Sequence, residues 1–93
     1  MKITIDPSAK EYIQKNKQNS IIIGTRRTGG WAGGIVPFVE MGTAKEEDGW
    51  SVQHIDGISV YYRPGLRTIN QEVRISLFGA WFLKTLQVSG IQV

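Results

Sequence analysis

Ser20-Ile21-Ile22-Ile23-Gly24-Thr25-Arg26-Arg27, then Thr28-Gly29-Gly30-Trp31-Ala32-Gly33-Gly34, then Ile35-Val36-Pro37-Phe38-Val39-Glu40-Met41, is the stretch on which the fold turns. β-Branched and aromatic residues flank a loop with glycine at four of its seven positions, 29, 30, 33 and 34. No apolar period of 3.6 runs through either flank. Such composition predicts two strands, over 20–27 and 35–41, joined by a wide turn whose glycines can take φ > 0. Pro37 lacks the ladder donor, so the second strand is expected at a sheet edge or at a bulge.

Toward the N-terminus, Ile3 and Ile5 flank Thr4 in the alternation of a short strand. Asp6-Pro7 reads as a helix start, with Asp6 as a side-chain N-cap and Pro7 where its missing donor costs nothing. Ala9, Tyr12 and Ile13 share one face against Lys10, Gln14, Lys15 and Lys17, and Asn16 to Asn19 supplies the stop, giving a helix of about ten residues. Toward the C-terminus, Thr43 to Asp48 reads as a solvated acidic loop. Trp50, Val52 and His54 alternate on one strand, Asp56-Gly57 makes a hairpin turn, and Ile58, Val60 and Tyr62 alternate on the return. After the break at Arg63-Pro64-Gly65, Val73, Ile75 and Leu77 alternate again. Gly79-Ala80 is expected to form a two-residue turn, with Trp81 to Val88 running back. This last hairpin is apolar on much of both faces, so it is expected either central in the sheet or covered by a neighbouring subunit.

A chain of 93 residues makes one domain. With 11 Lys and Arg against 8 Asp and Glu, its net charge of +3 permits a nucleic-acid partner without demanding one. Hydrophobic residues at 41% and charged residues at 20% match ordinary globular usage. Cysteine is absent, which removes disulfides, thiolate nucleophiles and all-Cys metal sites together. The longest apolar runs, such as Ile21 to Ile23 and Ala80 to Leu83, fall far short of the roughly 20 residues that span a bilayer. No apolar stretch follows Lys2, so no secretory segment is expected and a cytoplasmic location is the default.

The order strand, amphipathic helix, strand, glycine loop, then strands with an Asp-Gly hairpin resembles the HesB/IscA-like domain of iron–sulfur assembly. It is most similar to the small branch that carries a Cys-Cys or Cys-selenocysteine pair in that loop. The likeness is carried by Ile3 to Ile13, by Ile21 to Gly34, by Ile55-Asp56-Gly57-Ile58-Ser59-Val60-Tyr61, and by Val73 to Ile91. It implies a mainly β (β-rich α+β) domain over 1–93: a pseudobarrel of mixed, folded-over sheet with about seven strands and one N-terminal helix. The chemical motif departs from the family. Where the resemblance places sulfur or selenium, this chain has Trp31 and Ala32, and where the carriers end in cysteines it ends Ser89-Gly90-Ile91-Gln92-Val93. His54 is its one imidazole, and one imidazole cannot hold a cluster. No cofactor and no metal are therefore expected. The resemblance then implies an uncharacterised relative that acts as a non-catalytic binding or scaffold module, paired with itself as a homo-oligomer or with a thiol-bearing relative. Its interaction residues are Gly29, Gly30, Trp31, Ala32, Gly33 and Gly34, because an indole among glycines cannot bury itself locally and makes a good interface anchor.

Other constellations compete with this reading. Arg26 and Arg27 at the entrance of loop 28–34 suggest an anion or nucleic-acid site. The glycine spacing, however, fits neither phosphate-binding fingerprint, and no helix N-terminus follows. His54 and Asp56 can share a side as a partial acid–base or metal pair, though a partly packed strand histidine is the blander alternative. Glu46-Glu47-Asp48 lacks the ligand spacing of a cation loop. Tyr61-Tyr62-Arg63, with Arg67 and Arg74, sets aromatics beside cations, but Tyr61 and Tyr62 point to opposite faces and cannot share one platform. No serine elbow or nucleophile–base pair is present, so no enzymatic activity is expected and nucleic acid is not the expected partner.

Overall fold

The computed structural model describes residues 1–31, 33–45, 49–80 and 82–93. Its elements run β1 (Lys2–Ile5), α1 (Pro7–Lys15), β2 (Ser20–Arg27), β3 (Ile35–Met41), β4 (Ser51–Ile55), β5 (Ile58–Tyr62), β6 (Glu72–Ala80) and β7 (Leu83–Ser89). The ladders divide into two sheets, one ordered β1-β6-β7 and the other β3-β2-β5-β4. Two pairs are parallel, β1 with β6 and β2 with β5, and the rest are antiparallel. The mainly β architecture with one helix is the one the sequence predicts. β3 lies at an edge, where Pro37 opposite Thr25 costs no interior ladder bond.

One core joins the layers. Ile21, Ile23, Ile58 and Val60 project from the four-stranded sheet, Ile3, Ile5, Val73, Ile75 and Val88 from the three-stranded one, and Ala9 and Ile13 from the helix. The residues are almost all β-branched aliphatics, which suit both the strand backbone and a dry interlayer space. Tyr12, on the same helix face, is only half-buried, and its hydroxyl donates to the Lys84 carbonyl at 3.2 Å. Asp56 and Gly57, at φ 51° and 84°, form the hairpin turn between β4 and β5. A 2.8 Å ion pair from Lys10 to Asp56 ties that turn to the helix.

Two local expectations are corrected. Asp6 does occupy the N-cap position, with extended backbone at φ −61° and ψ 147°, but its side chain makes no capping bond. The parallel register pairs Thr4 with Arg74, so Asp6 emerges beside that arginine and its carboxylate takes the Arg74 Nε at 3.2 Å instead. Gly79 and Ala80 do not form the β6–β7 turn; they remain in the ladder opposite Lys84 and Leu83, and Phe82 lies beyond them. Gly79 has φ 109°, and the Leu83 carbonyl oxygen stands where its Cβ would be. The glycine answers a close backbone approach within the ladder rather than the bend of a turn. Trp81 and the acidic run Glu46-Glu47-Asp48 lie outside the described residues.

Candidate interaction surface at the glycine-rich loop

Only the root of the β2–β3 hairpin belongs to the core. Ser20, Ile21 and Ile23 are buried, whereas Arg26, Arg27, Ile35 and Val36 are exposed, so the hairpin projects from the body. Thr28 braces its neck. The Thr28 N–H donates to the Gly34 carbonyl at 2.8 Å, and the Thr28 hydroxyl both accepts from Gly34 N–H at 2.6 Å and donates to the Gly34 carbonyl at 3.1 Å. Gly33 N–H donates to Gly30 O at 3.2 Å, and a Cβ on Gly33 would collide with the Thr28 carbonyl oxygen. The absence of a side chain at Gly33 thus lets the two arms close. Trp31 stands at the tip with its side chain 100% exposed, which is the opposite of what the hydrophobic effect asks of an indole. Ala32 lies outside the described residues.

The other sequence-predicted residues do not converge here. Arg26 and Arg27 are neighbours on a strand and face opposite sides of the ribbon. Arg26 is held over the Phe38 ring at 4.1 Å and paired with Glu40 at 3.1 Å. The N–H groups of Gly33 and Gly34, which an anion-binding nest would aim at a phosphate, already serve Gly30 and Thr28. The hollow bounded by Arg27, Thr28, Gly30 and Gly34 measures about 160 Å³, below the usual range for small-molecule sites. His54 and Asp56 are also separated in their bonding, for His54 Nδ1 bonds to Ser59 Oγ at 3.0 Å while Asp56 is engaged with Lys10.

The last hairpin, expected from its apolar faces to be central or covered, has β6 central in its sheet and ends in a second apolar tip whose place the sequence reading missed. Phe78, Phe82 and Leu83 at the end of the β6–β7 hairpin are 64%, 85% and 72% exposed. Phe78, Trp81, Phe82 and Leu83, close together in the sequence, are the sign of it. Placing the turn at Gly79-Ala80 would have folded that run back on itself.

These two projecting hairpins, one helix and two mixed sheets define a β-rich α+β domain. The structure of SufA from Escherichia coli, involved in biosynthesis of iron–sulfur clusters, superposes with a TM-score of 0.68 at 11% identity over 96% of this chain and 80% of SufA, and so shares its fold. The profile of the CC/Se motif containing family matches residues 1–91, and the chain belongs to that family. Among curated proteins, none matches it by sequence.

An iron–sulfur cluster does not fit this chain's donor set. The chain contains no cysteine, and His54 is committed to Ser59. Among the described residues no group of three or more His, Cys, Asp or Glu is placed to hold a metal ion. Thiolate is the soft donor that clusters require, and hydroxyls, amides and an indole do not replace it.

Proposed function

We propose that this chain works in the cytoplasm as a non-catalytic binding or scaffold module related to the iron–sulfur assembly proteins, with the chalcogen pair of its relatives replaced by Trp31-Ala32. The observation that carries this reading is the fully exposed Trp31 on a loop braced by the Thr28–Gly34 bonds. Its fixed neck limits the entropy lost when the tip is captured, and a large amphipathic ring gives contact area with few rotors. The partner is a second copy of the chain or a thiol-bearing relative, which would supply the cluster chemistry this one lacks. Sedimentation velocity on the pure protein, and on mixtures with a cysteine-bearing member of the family, tests this. The expected result is a complex that Trp31→Ser dissolves without lowering Tm. A monomer that ignores both partners, or a complex indifferent to Trp31→Ser, contradicts the proposal.

A further inference from the structure

The two long ribbons differ in what their edges offer to another strand. Along β3, the bonds from Thr28 N–H to Gly34 O and from Gly42 N–H to Ser20 O turn the even-numbered positions toward β2. Pro37 therefore faces outward, and its missing donor blunts that edge against strand addition. β6 has no such guard. Lys2 and Asp6 donate to Gln71 O and Ile75 O, so the odd-numbered positions of β6 turn their backbone groups toward β1. β1 stops at Ile5, opposite Ile75, whereas β6 runs on to Ala80. The alternation leaves the N–H and C=O groups of Leu77 and Gly79 on an edge where no described strand continues. Leu77 shares the core side of β6 with Val73 and Ile75 and lies by Ser8 and Tyr12 of the helix, so Phe78 projects from the opposite face. Phe78, Gly79 and Ala80 are all exposed.

We propose that a second copy of the chain adds its own β6 to this edge, antiparallel, about a two-fold axis at Phe78. The open segment runs from Ser76 to Ala80, and Phe78 is its centre. An axis there sets Leu77 opposite Gly79 of the second copy and Gly79 opposite Leu77 of the second copy. Each such pair exchanges both of its N–H···O bonds, so every backbone group on the two open edges is satisfied. Phe78 then meets its own counterpart in a non-hydrogen-bonded pair, where the side chains of an antiparallel ladder come closest and aromatic rings gain most. The length fits as well: β6 of the second copy ends at Ala80 beside Ser76, just short of Ile5, whereas a longer foreign strand would run into β1. Ser76, Phe78 and Ala80, which face one another in this register, carry no charge. The contact adds to the one at the loop and does not use Trp31. Its few hydrogen bonds and two rings cover far less than the roughly 800 Å² per partner of a lasting complex, so by itself it holds copies together only near 0.1–1 mM.

Sedimentation equilibrium and backbone amide exchange of the Trp31→Ser chain, which lacks the loop contact, test the proposal at about 20 μM and about 1 mM. Monomer is expected at the lower concentration and dimer at the higher, with the Leu77 and Gly79 amides exchanging about tenfold more slowly in the concentrated sample. Phe78→Lys and Phe78→Glu keep the fold, because Phe78 is exposed. Added singly to this chain, each abolishes the dimer, and mixing the two restores it, because position 78 faces itself. In a chain without cysteine, Phe78→Cys should also give a disulfide-linked dimer on mild oxidation, whereas Thr85→Cys, its neighbour across the β6–β7 ladder, should not. A monomer at about 1 mM overturns the proposal, as does a dimer that tolerates both charges. Charge variants that stay monomeric when mixed, amide exchange at Leu77 and Gly79 that ignores concentration, or equal cross-linking through Thr85→Cys overturn it too.

Discussion

The roots of the two long hairpins and their tips obey opposite rules. In β2 and β6 the first residues, Ile21, Ile23, Val73 and Ile75, are almost wholly buried between the sheets and the helix. A few residues further along the same strands Arg26, Arg27 and Phe78 stand in solvent, as do Phe82 and Leu83 where the second hairpin turns into β7. Backbone pairing continues past the point where side-chain burial stops, for β2 is paired to Arg27 and β6 to Ala80. The roots therefore hold the fold, while the paired ribbons beyond them carry large apolar groups that the fold does not bury. That division assigns stability to the roots and the proposed association to the tips, and substitutions can test it at each end.

The largest effect is expected at the root. Ile75→Ala opens a cavity at a site with 0% exposure and should cost about 2–5 kcal/mol, read as a lower urea midpoint at unchanged m-value. A cost below about 1 kcal/mol would show that the two sheets do not share a tightly packed core. Next comes Gly90→Ala, where φ is +93° and the Glu72 carbonyl oxygen already occupies the Cβ position. Strain of about 1–3 kcal/mol is expected from the backbone conformation alone. Arg74→Ala, which removes the half-exposed partner of Asp6, should cost less than about 1 kcal/mol, as surface pairs do. The smallest effect belongs to the tips: Trp31→Ser and Phe82→Ser should leave Tm within about 2 °C of the parent while abolishing association. A large fall in Tm for either would erase the distinction between roots and tips.

Much of this was legible in the sequence because it is local. The spans of β2 and β3 follow from β-branched composition around a glycine loop, the edge position of β3 from Pro37, and the hairpin turn from Asp56-Gly57. What failed was the part set by distant register. Asp6 turned from helix cap to ion pair because β1 runs parallel beside β6 and delivers Arg74 to it, which no local pattern encodes. Gly79 looked like a turn residue because glycine serves both bends and close approaches, and only the ladder tells them apart. The stacks of Arg26 on Phe38 and of Arg63 on Trp50 join separate segments, so their members show no spacing rule along the chain. For the loop tip, four glycines around Trp31 sufficed to mark an indole with nowhere nearby to hide. The second tip was misplaced because Gly79 and Ala80 stay in the ladder.

The chain's lack of any thiol decides what it can carry, and anaerobic reconstitution with ferrous iron and sulfide addresses that most directly. After desalting, iron and sulfide far below one equivalent per chain, with no visible absorbance, is the expected result. Stoichiometric iron and sulfide retained with the charge-transfer bands of a cluster would contradict the account, because it would require ligands that this chain does not possess.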